Sequence, residues 1–236
     1  MSTGGIGRER VWQNLEAVRR RLAAACARSG RDPASVRIVA VTKGFPAEVA
    51  VAAVQAGVTD LGENYVQEAR EKVRAVPEAT WHLVGHLQRN KAREAVRLFP
   101  WIHSVDSVPL AEELDRRAAK HDRTIQVLIQ VNVAGEAQKH GVPPEEVIRL
   151  AQTVQRLSGL RLRGLMTIAP LSSHPEGIRW VFRTLRALRD DLAYRLGSPL
   201  PELSMGMTDD FEVAVEEGAT LVRLGRALFG ERPEKG

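Results

Sequence analysis

Eight short runs of β-branched and aliphatic residues recur along this chain, separated by longer stretches whose apolar residues recur every three or four positions. Repeated strand-then-helix order points to parallel pairing, because parallel neighbours need a crossover and that crossover is usually a helix. The strand candidates are Val36–Thr42, Asp60–Gly62, Trp81–Val84, Trp101–Val105, Gln126–Val131, Leu160–Leu165, Leu203–Met205 and Thr220–Arg223. Most are unbroken Val/Ile/Leu runs, as expected of strands covered on both faces. Helices are expected at Arg8–Ser29, from Pro46 to Gly57, and near Tyr65–Val76, Arg89–Leu98 and Val108–His121. Further helices are expected near Pro144–Leu157, Pro175–Leu196 and Asp209–Glu217, with a short turn starting at Arg226. In the first helix Val11, Leu15, Val18, Leu22 and Cys26 form the apolar stripe and Gly30 supplies the stop.

Eight such units in roughly 200–250 residues predict a (β/α)8 TIM barrel with an extra N-terminal helix. A doubly wound open sheet is the alternative. No Pro/Gly/Ser linker, low-complexity tract or charge block interrupts the pattern, so one domain spanning 1–236 is expected. A hydrophobic fraction of 44% supports a full core without staples. The lone Cys26 allows no intrachain disulfide, which suits a reducing, cytoplasmic setting. No apolar run is long enough to span a bilayer, and the first residues carry no signal-peptide core. The net charge of +5 suits an anionic ligand. Aromatics at 5%, with no basic run among them, argue against a nucleic-acid surface.

Chemistry-bearing residues stand just after the strands: Lys43, Glu63 and Asn64, His86, Asp106, Asn132, Thr167, Ser204 with Gly206, and Arg223 with Gly225. In a parallel barrel these ends share one rim, where barrel active sites form. Lys43 closes the apolar strand Ile38-Val39-Ala40-Val41, where burial would lower its pKa and free the amine for Schiff-base chemistry. A solvated loop lysine fits the position equally well. Gly225 and Arg226 lead from the last strand into a short helix whose N–H groups could meet a phosphate, with Ser204 adding a hydroxyl; a plain turn is the alternative. His82 and His86 are four apart on an extended segment, about 13 Å, too far for one zinc. His82 is expected to be structural and His86 to reach the rim.

The motifs Val39-Ala-Val-Thr-Lys-Gly44, Gly62-Glu-Asn-Tyr-Val-Gln-Glu68 and Trp81-His-Leu-Val-Gly-His-Leu-Gln-Arg-Asn-Lys91 come in this order. After them stand His103-Ser-Val-Asp-Ser107, Asn132 with Glu136, Lys139 and Gly141, and Gly164-Leu-Met-Thr167. Leu203-Ser-Met-Gly-Met207, Val222-Arg-Leu-Gly225 and Phe229-Gly230 complete the set. Together they resemble the YggS/PROSC family, the pyridoxal phosphate homeostasis proteins, from Val36 to Arg232. The resemblance implies a single barrel similar to the N-terminal domain of alanine racemase. It implies that Lys43 carries pyridoxal 5′-phosphate (PLP) as an internal aldimine, and that Ser204, Gly225 and Arg226 hold the phosphate. It places Arg223 at the pyridine nitrogen, and Asn64 and Met166 along the ring. Where many relatives have threonine this chain has Arg226, whose backbone N–H remains to serve.

PLP is an electron sink that the protein tunes. Arginine at the ring nitrogen is a donor only, so the nitrogen stays unprotonated and the sink weak. Racemases of this fold take an opposing acid/base from a second domain, for which a chain ending at Gly236 leaves no room. Neither Tyr65 nor Tyr194 is placed to replace it. The expected role is therefore PLP binding and intracellular vitamin B6 homeostasis by a non-enzymatic monomer, with apo PLP-dependent enzymes as recipients. The alternative is a low-activity PLP-dependent amino-acid racemase.

Overall fold

The computed structural model describes residues 6–232. Eight parallel strands run β1 Arg37–Val41, β2 Asp60–Glu63, β3 Thr80–Leu83, β4 Trp101–Val105, β5 Ile125–Gln130, β6 Leu160–Met166, β7 Glu202–Ser204 and β8 Leu221–Leu224. They form a closed barrel in chain order, with β8 pairing back onto β1. That closure rules out the open sheet. The helices are α1 Arg8–Arg28, α2 Ala47–Gln55, α3 Val66–Ala75, α4 Ala92–Leu98, α5 Val108–Ala119, α6 Val147–Gln155, α7 Arg179–Leu196, α8 Phe211–Glu216 and α9 Arg226–Phe229. Three helices expected to start at Arg89, Pro144 and Pro175 open instead with a 3₁₀ turn before the α-helix begins. The tighter turn commonly starts helices, and proline at its head fixes φ without losing a needed N–H.

Helix α1 precedes the barrel and lies along α2, α8 and α9. Its buried stripe is Val11, Leu15, Val18, Leu22, Ala25 and Cys26, so the cysteine is a small core residue as expected.

The pleat sorts each strand into two faces. Ile38 and Ala40 of β1 join the shell between strands and helices, while Val39 and Val41 join the barrel interior. By the same alternation Lys43 is aimed at the mouth of the barrel. On β8, Val222 and Leu224 face the helices and Leu221 faces inward, so Arg223 does too. The interior apolar layer is Val39, Val84, Leu128, Met166 and Leu221. Gly164 lets β7 pack against β6: its φ is +156°, and a Cβ there would stand 1.8 Å from the Glu202 carbonyl oxygen.

Candidate functional site

At the C-terminal rim a cavity of about 460 Å³ opens above the inward layer. Its wall includes Lys43, Asn64, Arg223, Gly225 and Arg226, five of the seven residues expected there. Val41, Val84 and Ile168 give it apolar sides. A hollow of about 520 Å³ lies at the other end, between α1 and the starts of β1 and β2, but among the described residues no lysine lines it.

Among the described residues Lys43 is the one lysine on the rim cavity's wall. Burial, and then the Arg232 cation, lower its pKa below the ordinary lysine value against the opposing pull of Glu68 and Glu63. Desolvation of a cation without an equal counter-charge is the physical cause. The strand that carries Lys43 is anchored from behind. Thr42 faces outward, its hydroxyl 2.5 Å from Glu63 Oε1, and buried Lys72 of α3 donates to Glu63 Oε1 at 2.6 Å and to the Thr42 carbonyl at 2.7 Å. Burial raises the Glu63 carboxyl pKa despite these partners. Glu68 accepts from the Gly44 amide at 3.1 Å.

Asn64 continues the inward parity of β2. Gly85 packs directly on it: a Cβ at Gly85 would lie 2.4 Å from the Asn64 carbonyl oxygen. Only a residue without a side chain permits that approach.

Arg223 is 5% exposed and donates to Ser204 Oγ at 2.7 Å and to the Thr167 carbonyl at 2.8 Å. Burial lowers its pKa to about 10, with Asp210 acting against the drop. It therefore remains a cation at neutral pH. Beneath it runs a column of hydrogen bonds: Ser204 Oγ to His103 Nδ1, His103 Nε2 to His82 Nδ1, and His82 Nε2 to Asp60 Oδ1, each 2.9 Å. Desolvation holds both imidazoles below their ordinary pKa, His103 far below. Burial alone would raise Asp60, but the His82 hydrogen bond, Thr59 and Arg37 together hold it low. An ionised Asp60 can only accept, which fixes every proton above it. His82 donates to Asp60, His103 to His82, and the Ser204 hydroxyl to His103. Asp60 rests on Arg37, which also binds Glu202 at 2.9 Å.

Two of the expected residues lie below the cavity and not on its wall. Ser204 is fully buried, does not line the cavity, and its one proton is committed to His103. Met166 is likewise fully buried in the interior layer. The cavity wall is formed by residues further along the same segments, Ile168 after β6 and Met207 with Thr208 after β7. Thr208 went unnoticed in the sequence; its Oγ1 accepts from the Ala227 amide of α9 at 3.2 Å. Arg226 is on the wall, but its guanidinium is paired with Asp209. His82 is structural, as expected, and His86 reaches the rim region, 3.2 Å from Asp106.

The family described as the alanine racemase N-terminal domain matches residues 13–233. The pyridoxal phosphate homeostasis protein of Aquifex aeolicus (strain VF5) is 43% identical over 222 residues, 93% of this chain and 97% of that one. The structure of PipY of Synechococcus elongatus PCC7942 with PLP bound is similar at a TM-score of 0.80 and 41% identity, covering 90% of this chain and 100% of that one. Alanine racemase of Clostridium difficile 630 shares the fold at a TM-score of 0.77 and 15% identity, covering 96% of this chain and 58% of that one. Eight barrel strands in order, a desolvated lysine at the end of the first and these matches lead to one assignment: the chain belongs to the pyridoxal phosphate homeostasis protein family, built on the alanine racemase N-terminal domain.

Proposed function

We propose that this protein binds PLP at the rim cavity through Lys43 and acts in intracellular PLP homeostasis, holding and releasing the cofactor without a catalytic cycle of its own. The carrying observation is the half-buried Lys43 amine, lowered in pKa, in a cavity walled by a buried cation. The volume lies within the usual range for small-ligand sites, and the donor set suits an anionic aromatic aldehyde. Bound PLP supplies an aldehyde and, once joined to an amine, an electron sink. Lys43 is the nucleophile for that aldehyde. Arg223, held by Ser204 and Thr167, presents donors only and takes up no proton at neutral pH. Asn64, Val84 and Ile168 flank the ring, with Ile168 in the place expected of Met166. Thr208 and the backbone at Gly225 and Arg226 receive the phosphate, Thr208 taking the part expected of Ser204. Neither tyrosine lines the cavity, and both are largely exposed. These properties suit a protein that sequesters a reactive aldehyde, with apo PLP-dependent enzymes as the proposed recipients. Among the described residues no helix is long and apolar enough to cross a membrane.

The test is spectroscopic. Mixing with PLP should give a visible absorption band that borohydride bleaches, and peptide mapping should place the reduced adduct on Lys43. An adduct on Lys91 or Lys139, or no band, would overturn the reading.

A further inference from the structure

On the same end of the barrel, outside the lining of the cofactor cavity, three loops bring metal-ligating side chains together. His86 follows β3, Asp106 follows β4, and His140 lies in the connection from β5 to α6. One ligand atom from each lies within 4.8 Å of the other two. His86 Nδ1 stands 3.2 Å from Asp106 Oδ2. The His86 and His140 rings stack with centroids 3.7 Å apart and planes 7° from parallel. None of the three lines the cofactor cavity.

The loop that presents His140 is firmly built. Gln130 Nε2 donates to the His140 carbonyl at 3.0 Å, and Asn132 brackets the preceding turn by accepting from the Glu136 amide and donating to its carbonyl. Gly141 follows at φ +118° with backbone packed where a Cβ would be. His140 is thus held over His86 by main-chain geometry, while both imidazoles are exposed and Asp106 is half-buried.

Two imidazole nitrogens and a carboxylate oxygen are the donor set of open, three-ligand zinc sites, and imidazole also suits Co²⁺ and Ni²⁺. Metal–nitrogen bonds of about 2.0–2.1 Å require the ligand atoms to draw closer than they stand. Exposed side chains can do this by rotating, without backbone movement. We propose that His86, Asp106 and His140 form a binding site for one divalent transition-metal ion of the zinc class, with remaining positions open to water or an anion. The bound ion would tie together the loops after β3, β4 and β5. The site does not depend on the PLP reading, because it shares no residue with that cavity.

The test is calorimetric titration of the tag-free chain with Zn²⁺, with Co²⁺ absorption as a second readout of coordination. One saturable ion per chain is expected, with a rise in melting temperature. His86→Ala and His140→Ala should each weaken binding by at least about 10–100-fold, the loss usual even for groups that only orient a ligand. The double variant should melt at the same temperature with and without zinc. PLP can itself hold metal, so the titration is repeated on Lys43→Ala protein free of cofactor, where binding should persist. Affinity unchanged in the double variant, loss of binding in Lys43→Ala, or no saturable binding below millimolar zinc would each overturn the site.

Discussion

The lowered pKa of Lys43 comes from an imbalance of surroundings: burial and Arg232 disfavour its charged form, and Glu68 and Glu63 only partly compensate. A lowered pKa means the free amine is present at lower pH than for an ordinary lysine, so capture of PLP should rise with pH through a midpoint below 10.5. Arg232→Ala removes one cause and should move that midpoint up; Glu68→Gln removes an opposing charge and should move it down. Stopped-flow capture rates across pH check the order, and shifts in the reverse sense would contradict it. A second prediction separates Thr208 from Ser204. If Thr208 receives the phosphate, Thr208→Val loses one hydrogen bond to a charged group, about 1.5–3 kcal/mol or roughly 10–100-fold in affinity for PLP. Binding of pyridoxal, which lacks the phosphate, should not change. Ser204→Ala instead strands the buried His103 Nδ1 and an Arg223 donor, so it should lower stability by about 1–3 kcal/mol while preserving the PLP-to-pyridoxal affinity ratio. A change in that ratio would return Ser204 to the phosphate site.

Strand by strand, much of this site was legible in the sequence, because β-pleat parity is local information. Alternation from Val39 through Val41 aims Lys43 at the barrel mouth, and alternation from Leu221 aims Arg223 inward. What sequence cannot supply is depth. Ser204 and Met166 have the right parity but sit one layer below the cavity, and Thr208 lies past the strand end in a loop whose path only the closed barrel fixes. The column from Asp60 to Ser204 was equally hidden, since it joins residues from β2, β3, β4 and β7 that meet only inside the barrel. Nothing local to Lys72 marks it as buried; its partners, the Thr42 carbonyl and Glu63, meet it only once its helix docks on the barrel. The column makes stability depend on pH. His82 and His103 stay neutral in the fold while an unfolded chain protonates histidine near its ordinary value of about 6.5. Unfolded protein then binds more protons, so stability should fall as pH drops below about 6.5, by up to roughly 2.7 kcal/mol per unit for two such groups. Urea midpoints between neutral and mildly acidic pH measure this, and His103→Gln should flatten the slope; an unchanged slope would remove His103 from the account. Strand β6 carries a separate constraint. Gly164→Ala drives a Cβ into the Glu202 carbonyl, and about 3 kcal/mol or more should be lost in the same denaturation assay.

At the scale of the whole barrel, a cofactor pocket and a catalytic centre differ in what stands around the reacting carbon. Fast α-carbon chemistry needs a tuned electron sink and a positioned acid/base on each side of the bond being broken. Arg223 stays cationic with a pKa of about 10 and is clamped by Ser204 and Thr167, so it cannot deliver a proton to stabilise a carbanion at neutral pH. Across from Lys43 the wall offers Asn64, Thr208 and Asp209, with Asp209 tied to Arg226; it carries no tyrosine and no histidine. Both requirements are unmet among the described residues. With PLP bound, racemase, transaminase and decarboxylase turnover of common amino acids should therefore be negligible, while added amines still exchange onto the cofactor. Incubation in deuterated water with each amino acid measures α-proton exchange directly. A steady kcat in the usual enzyme range of roughly 1–1000 s⁻¹ would replace the homeostasis reading with a racemase-like one. Arg223→Glu puts a proton acceptor where the donor-only group stands and should raise exchange if the weak sink is the brake. Should that variant keep its cofactor, shown by the visible band, and exchange no faster, then Arg223 is not the brake, and the absent second acid/base alone accounts for the inactivity.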